Sequence, residues 1–225
     1  MPAPEHARRR YDAIIFDYGG VIASSPFEAF NRFEAERGLP QDFIRRVNAI
    51  DPDDNAWARL ERSEIDRAAF DGLFAMESER LGHSISGADI LALLAGEIRP
   101  EMVAALDRFR AEGYRLGCIT NNVHGARGPG MAADEASAQA HAAVFARFDH
   151  VIESAAAGVR KPDPRIYRMM CEALAVPPER CVYLDDLGIN CKPAAMLGMH
   201  AIKVTGAQQA LDALNAALTE CVSIP

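Results

Sequence analysis

The sequence predicts an α/β protein with a doubly wound, Rossmann-like parallel sheet and an all-helical insertion after its first strand. Three observations lead to this prediction. Short apolar runs end in polar residues or glycines, helix-length segments separate these runs, and residues 24–98 contain no strand-like run. Strands separated by helices of this length require parallel crossovers, which place helices on both faces of the sheet.

The first predicted strand covers residues 11–17 and ends at two glycines. Helices are then predicted over 26–38, 41–50, 55–62 and 67–81, and Ser86 opens another over 90–94. Pro26 after Ser25 is typical of a helix start, and Asp66 is a typical N-cap. We therefore predict an α/β core formed by 1–23 and 99–225, and a helical cap formed by 24–98.

After Pro100 the strand and helix patterns alternate again. Strands are predicted over 115–120, 150–153, 181–184 and 201–204, and helices over 101–111, 135–147, 164–175, 190–197 and 208–218. Residues 122–131 form a glycine-rich loop, whose position lets it border an active-site mouth. In such a sheet the ligand lies beyond the carboxyl ends of the strands, so the strand ends are the residues to inspect.

Composition and charge exclude several classes of function. A net charge of -8 over 225 residues argues against binding to nucleic acid or an acidic membrane, since both favour a basic face. The five cysteines have no paired or zinc-type spacing, which suits a reducing compartment. No apolar run resembles a signal peptide or spans a bilayer. We expect a soluble cytoplasmic protein, and the sequence leaves monomer and homodimer open.

Polar side chains with related chemistry follow the predicted strands. They are three carboxylates, a hydroxyl, an amide and an amine, namely Asp17, Asp185, Asp186, Thr120, Asn121 and Lys161. Because parallel strands end at the same edge, these groups are expected to meet in one crevice. Three ionised carboxylates share a small site only if something positive joins them, and Mg²⁺ prefers such oxygen ligands together with phosphate.

This set of groups suits phosphoryl transfer. Asp17 is placed to attack phosphorus and to form an aspartyl-phosphate, a recognised covalent route for carboxylates. Thr120, Asn121 and Lys161 can hold the remaining phosphoryl oxygens, and the amides of Tyr18 and the following glycines suit an anion. The predicted partner is therefore a small phosphorylated metabolite, and the predicted cofactor is Mg²⁺.

Simpler interpretations exist for each residue. Asp17 alone is also compatible with a helix or loop cap, Asp185-Asp186 with a solvated turn, and Lys161 with an exposed loop lysine. Trp57 is expected to pack in a small helical bundle. Five histidines lack metal-ligand spacing and are expected to be structural or surface residues: His83, His124, His141, His150 and His200. Of these, His124 lies in the glycine-rich loop and is a weak acid/base candidate.

Four short segments resemble the ordered motifs of the haloacid dehalogenase (HAD) superfamily. They are FDYGGV at 16–21, ITNN at 119–122, GVRKPDPRIY at 158–167 and VYLDDLGIN at 182–190. A helical insertion after the first motif is also typical of that family. Residues 151–167 and 184–204 are similar to the phosphatase domain of soluble epoxide hydrolases, and closer still to the HAD domain fused to some acyl-CoA dehydrogenases.

The resemblance implies roles for the residues in these motifs. Asp17 is then the nucleophile and a Mg²⁺ ligand, with the Gly19 carbonyl and Asp186 as further ligands. Asp185 is expected to hold Lys161 or a metal-bound water, and Asn190 to orient the aspartate pair. The implied activity is a Mg²⁺-dependent phosphoric monoester hydrolase.

Gly19 is a departure from the family pattern, because most phosphatases of this superfamily have a second Asp there as proton carrier. Such acid/base help is worth about 10²–10⁴-fold. Three explanations stay open. Water or a cap residue replaces the missing aspartate, the substrate has a leaving group that needs no proton, or the catalytic activity is vestigial. Two other functions stay open: a regulatory module that binds metal and a metabolic partner, and a 2-haloacid dehalogenase. The adjacent pair Asp185-Asp186 speaks against the dehalogenase, whose relatives lack it and need no metal.

Overall fold

The computed structural model describes residues 9–94, 96–122 and 135–219. Within these residues five strands form one sheet, in which every neighbouring pair is parallel and the order is β3-β2-β1-β4-β5. The strands are β1 (Ala13–Phe16), β2 (Arg115–Thr120), β3 (His150–Glu153), β4 (Cys181–Asp185) and β5 (His200–Lys203). The predicted α/β fold with a parallel sheet is confirmed.

Helices fill the intervals between the strands. Between β1 and β2 lie α1 (Pro26–Glu36), α2 (Phe43–Ala49), α3 (Ala56–Glu61), α4 (Arg67–Glu79), α5 (Gly87–Ala92) and α6 (Pro100–Ala111). Later in the chain lie α7 (Glu135–Phe145), α8 (Ser154–Ala157), α9 (Pro164–Leu174), α10 (Gly188–Met196) and α11 (Ala207–Thr219). The sequence did not predict α8 or a short 3₁₀ turn at Pro178–Arg180, because one-turn helices have too few residues to show a period.

The central strands are apolar throughout because the sheet is covered on both faces. Along β1, Ile14 and Phe16 belong to one buried cluster, together with residues of α6, α7 and α11. Ala13 and Ile15 belong to a second cluster on the opposite face, with residues of α9 and α10. Successive side chains of β1 point to opposite faces of the sheet, and both faces are apolar. This distinguishes a buried parallel strand from a half-exposed one, in which only one face is apolar.

Gly117 in β2 allows α9 to pack closely on the sheet. A Cβ atom at this position would lie 2.7 Å from Met170 Sδ and 3.1 Å from Leu174 Cδ1. A side chain there would force Met170 and Leu174 to move, so the glycine permits the close packing of α9 on the strand.

The helical segment α1–α5 has an apolar cluster of its own. Phe70 and Phe74 are fully buried there, and the Trp57 ring contacts Phe30 and Phe70 edge to face. Trp57 therefore packs in the helical bundle, as expected. The exact domain bounds stay a prediction, and so does the use of this segment as a cap.

Two stretches that connect α1–α5 to the sheet lie side by side. Ala23 pairs with Ile98 in an antiparallel bridge, and the Ser24 N–H donates to the Glu97 carbonyl at 2.8 Å. The helical segment thus leaves and re-enters the sheet layer at one place, just beyond the carboxyl end of β1.

Helix starts follow the predicted cap chemistry in one case and depart from it in another. The Asp66 carboxylate accepts from the Ala69 N–H at 2.8 Å, as an N-cap does. Ser25 occupies the N-cap position of α1, but its hydroxyl makes no cap hydrogen bond. That hydroxyl donates instead to Asp186 Oδ2 at 3.1 Å, at the end of β4.

Two further properties concern the described residues as a whole. Their four cysteines, Cys118, Cys171, Cys181 and Cys191, are free thiols and buried. No helix among residues 9–94, 96–122 and 135–219 is long and apolar enough to cross a membrane.

Candidate active site

Three carboxylates meet at the carboxyl ends of the two central strands. Phe16 of β1 pairs with Leu184 of β4, so the next residues, Asp17 and Asp185, lie side by side at the carboxyl edge of the sheet. Asp17, Asp185 and Asp186 each offer one ligand oxygen, and these oxygens lie within 4.8 Å of one another. The interpretation of Asp185-Asp186 as a solvated turn is wrong for Asp185, which is fully buried.

Lys161 bridges two of these carboxylates. Its Nζ lies 2.7 Å from Asp17 Oδ1 and 2.9 Å from Asp185 Oδ2, and its side chain is only 1% exposed. The interpretation of Lys161 as an exposed loop lysine is therefore wrong. Burial alone would lower the pKa of Lys161, but Asp17 and Asp185 outweigh that effect and raise it.

Asp185 is held rigidly by hydrogen bonds from three further groups. Its carboxylate accepts from Asn190 Nδ2 at 3.1 Å, from the Tyr183 hydroxyl at 2.5 Å and from the Leu187 N–H at 2.8 Å. Asn190 is thus beside Asp185, where the resemblance places it. A buried carboxylate with this many donors is fixed in orientation and has little freedom to act as a mobile ligand.

Asp186 lies against the backbone that follows Asp17. Gly20 has φ +80°, and a Cβ atom there would lie 2.2 Å from Asp186 Oδ2. Only glycine allows both this backbone conformation and this approach. Burial, followed by the nearby charge of Asp185, raises the pKa of Asp186 to about 6.

The single charge of Lys161 does not offset the three carboxylates of the site when all of them are ionised. Burial raises the pKa of Asp17 well above its usual range; Lys161 opposes this, while Asp185 and Asp186 add to it. One lysine faces three carboxylates, so a divalent cation is needed if all three are to stay ionised. The oxygen-only donor set fits Mg²⁺, which favours carboxylates, carbonyls and water.

The end of β2 supports the loop that carries Lys161. Thr120 is buried at the last position of the strand. The Asn121 side chain donates from Nδ2 to the Lys161 carbonyl at 3.1 Å, and its Oδ1 accepts from the Lys161 N–H at 2.9 Å. Asn121 therefore holds the peptide of Lys161, a contact that the sequence did not predict. Phosphate binding by Thr120 and Asn121 stays a prediction.

The Tyr18 side chain packs away from the carboxylates. Its ring stacks on Phe145 at a centroid distance of 4.3 Å, and its hydroxyl hydrogen-bonds His141 Nδ1. Its N–H donates to Asp17 Oδ1 at 2.6 Å and so contacts the candidate nucleophile itself. His141 is buried and structural, while His124 and the loop residues 127–131 lie outside the described residues.

Gly19 leaves open space beside the site. The nearest atom to a Cβ atom built at Gly19 is Pro26 Cδ, at an ordinary contact distance of 3.8 Å. An added Cβ atom is therefore sterically permitted here. The glycine is not required by packing, in contrast to Gly20.

Glu61 of α3 approaches the site from the helical segment, and no local feature of the sequence indicated it. Its Oε2 lies 2.6 Å from Arg160 Nε and 3.4 Å from Asn121 Nδ2. The Arg160 Nε–H is not aligned with this oxygen, so the contact is an ion pair rather than a hydrogen bond. Burial raises the pKa of Glu61, and the charge of Arg160 opposes this most strongly.

Comparison with known proteins agrees with this architecture. A family model described as haloacid dehalogenase-like hydrolase matches residues 11–198. The chain belongs to this family. It is 33% identical over 215 residues to mouse acyl-CoA dehydrogenase family member 10, and this match covers 93% of the chain and 19% of the relative. It is 30% identical over 214 residues to pig bifunctional epoxide hydrolase 2, covering 90% of the chain and 38% of the relative.

These curated relatives are much longer than the region they share with this chain. One relative of comparable length is the phosphatase MT3486 of Mycobacterium tuberculosis, which is 29% identical over 209 residues, covering 89% of the chain and 90% of the relative. The fold matches a HAD family enzyme from Bacteroides thetaiotaomicron, solved with magnesium and inorganic phosphate, with a TM-score of 0.56 and 20% identity over 86% of this chain and 93% of that one. It also matches the L-2-haloacid dehalogenase of Xanthobacter autotrophicus, with a TM-score of 0.59 and 20% identity over 93% and 84%.

Proposed function

We propose that this hydrolase is a Mg²⁺-dependent phosphatase of a small organic phosphate, with Asp17 as nucleophile and α1–α5 as a cap over the site. The observation that supports it best is the buried Lys161, which pairs with Asp17 and Asp185 within a cluster of three carboxylates. The relatives named as phosphatases agree with the reaction class. A small substrate and a cytoplasmic location remain part of the proposal.

In the first step an oxygen of the Asp17 carboxylate attacks phosphorus, and the bond from phosphorus to the leaving oxygen breaks. The products are an aspartyl-phosphate and an alkoxide that takes a proton from water, since Gly19 has no side chain to supply one. Water then attacks the same phosphorus and releases inorganic phosphate and the Asp17 carboxylate. Lys161, which pairs with Asp185 as well as with Asp17, would hold a phosphoryl oxygen in both steps.

Asp17, Asp186 and the Gly19 carbonyl would hold Mg²⁺. The bound ion would supply positive charge that offsets repulsion between the carboxylates and the phosphoryl oxygens. Asp185 is already saturated by Lys161, Asn190, Tyr183 and the Leu187 N–H, so we assign it to support rather than to direct ligation.

The test is release of phosphate from 4-nitrophenyl phosphate and from a panel of alkyl phosphates, with Mg²⁺ or with EDTA. Asp17→Asn is expected to lower the rate by about 10³-fold or more. Asp107→Asn, which removes an exposed partner of Arg147, is the matched control and is expected to keep the wild-type rate. Acid-quenched wild type is expected to have one phosphoryl group on the peptide that contains Asp17. Absence of phosphate release by wild type across the panel would contradict the proposal.

Two other outcomes favour the alternatives. Tight binding of Mg²⁺ and phosphate without turnover would favour a regulatory module, for which Gly19 is the supporting observation. Chloride release from a 2-haloacid in EDTA would favour dehalogenation, in which the Asp17 carboxylate attacks carbon instead of phosphorus. The repulsion among the carboxylates of Asp17, Asp185 and Asp186 is unfavourable without a cation, so the cluster argues against a reaction that needs no metal.

A further inference from the structure

A single carboxylate oxygen of Glu61, in the helical segment, contacts two loops of the α/β core. Its Oε2 contacts Asn121 Nδ2, which follows β2, and Arg160 Nε, in the loop after β3. Two neighbouring contacts join the same surfaces: Arg160 Nη1 donates to the Pro52 carbonyl at 3.2 Å, and the Ser63 hydroxyl donates to the Ala155 carbonyl at 2.9 Å. The α3 region is thus attached to the core beside Lys161.

The contacts of Glu61 continue to the nucleophile through hydrogen-bonded groups. Asn121 holds both the N–H and the carbonyl of Lys161, and Arg160 precedes Lys161 in the chain. The Lys161 Nζ then contacts Asp17 and Asp185. A continuous series of contacts therefore links the Glu61 carboxylate of α3 to the lysine that pairs with the nucleophile.

We propose that Glu61 is a positioning residue, which fixes the Asn121 side chain and the Arg160-Lys161 peptide when α3 lies against the core. The side chain of Glu61 is 7% exposed and that of Arg160 is 21% exposed. An ion pair at this degree of burial is little screened by solvent, and losing one partner leaves a buried charge unpaired. Because Oε2 is occupied by Arg160 and Asn121, Glu61 acts through these groups rather than on the substrate.

The kinetic part of the test rests on the proposed phosphatase function. Glu61→Ala is expected to lower kcat for 4-nitrophenyl phosphate with Mg²⁺ by about 10- to 100-fold with a much smaller change in KM, since misplacement of a catalytic group by about 1 Å costs on that order. Glu61→Gln keeps an acceptor for Asn121 and should lose less, with an unchanged pH profile. The double variant Glu61→Ala/Arg160→Ala should be no slower than the slower single variant.

The matched control is Glu64→Ala. Glu64 pairs with Arg62 at 2.6 Å, three residues from Glu61, but it is exposed and contacts no core residue in the hydrogen bonds and ion pairs of the described chain. This variant is expected to keep the wild-type kcat. Wild-type kcat in Glu61→Ala would overturn the proposal. Equal losses in Glu61→Gln and Glu61→Ala, with one limb of the pH profile removed, would also overturn it, because that result identifies Glu61 as a proton carrier.

A second measurement does not require activity. Hydrogen exchange of the Lys161 amide, which donates to Asn121 Oδ1, is expected to be about 10-fold faster in Glu61→Ala and unchanged in Glu64→Ala. Unchanged exchange in Glu61→Ala would overturn the proposal. If wild type releases no phosphate, the proposed function fails, while the exchange comparison still decides the role of Glu61. Glu61→Gln preserves the side-chain volume and serves both measurements if the alanine variant does not fold.

Discussion

Replacing Gly19 with aspartate is expected to create the proton carrier that the site lacks. A Cβ atom at Gly19 has its nearest neighbour at 3.8 Å, so the backbone position accepts a Cβ without a clash. The residue is two positions after Asp17, where the family resemblance implies a proton-carrying aspartate. The variant therefore changes proton supply while the carboxylate cluster and Lys161 stay in place.

The size of the effect follows from general acid/base catalysis. Such help is worth about 10²–10⁴-fold, which corresponds to about 3–5 kcal/mol of activation free energy. The full gain applies to alkyl phosphates, whose leaving alkoxide needs a proton. For 4-nitrophenyl phosphate the leaving group is stable as an anion, so we expect a gain below about 10-fold.

The assay is kcat for the two classes of phosphate in wild type, Gly19→Asp and Gly19→Asn, each with Mg²⁺. The asparagine variant has nearly the same shape but cannot act as an acid at neutral pH, so it should gain nothing. An equal gain in both variants would refute the reasoning, because shape rather than proton transfer would then be responsible. An unchanged rate for alkyl phosphates in a folded Gly19→Asp protein would refute it as well.

Two further predictions concern stability. Gly20→Ala is expected to abolish phosphate release and to destabilise the protein by clearly more than Gly38→Ala, since both have positive φ but only Gly20 has Asp186 at 2.2 Å from the added Cβ. Gly38→Ala should cost about 1 kcal/mol in thermal unfolding, and equal losses would contradict this account. Hydrogen bonds from the Ser86 hydroxyl and a backbone N–H lower the pKa of Asp71. This group therefore stabilises the fold above about pH 4 and loses that effect as pH falls further. The difference between the urea midpoints of wild type and Asp71→Asn at pH 7 should shrink as pH falls below about 4, and a constant difference would disprove the assignment.

The sequence was sufficient for the residues at the strand ends because their positions follow from chain order. Asp17, Thr120 and Asp185 each end an apolar run, and a parallel sheet brings such ends to one edge. Lys161 could be assigned to the same edge because it lies in the loop that follows β3, although α8 separates it from the strand end. Helix ends differed by up to three residues, since fraying and capping depend on tertiary contacts.

The sequence was insufficient to predict side-chain contacts between residues that are far apart in the chain. Ser25 has the position of a helix cap but donates to Asp186, and Asn121 holds the Lys161 peptide as well as lying near the site. His141 is buried against Tyr18 although its helix is rich in alanine and gives no strong apolar face. Glu61 reads as an ordinary solvated residue at a helix end until α3 is placed on the core.

The central position of β1 has a consequence for synthesis of the chain. β1 is made first, yet its two neighbours, β2 and β4, follow only at 115–120 and 181–185. At a translation rate of about 5–20 residues per second, β4 is synthesised on the order of ten seconds after β1, so one edge of β1 stays unpaired for that time. During that time a fully apolar strand has open edges, which favours wrong pairing. The helices α1–α5, which share an apolar cluster drawn from contiguous residues, are the first part able to pack, and the carboxylate cluster exists only once Asp185 and Asp186 have left the ribosome.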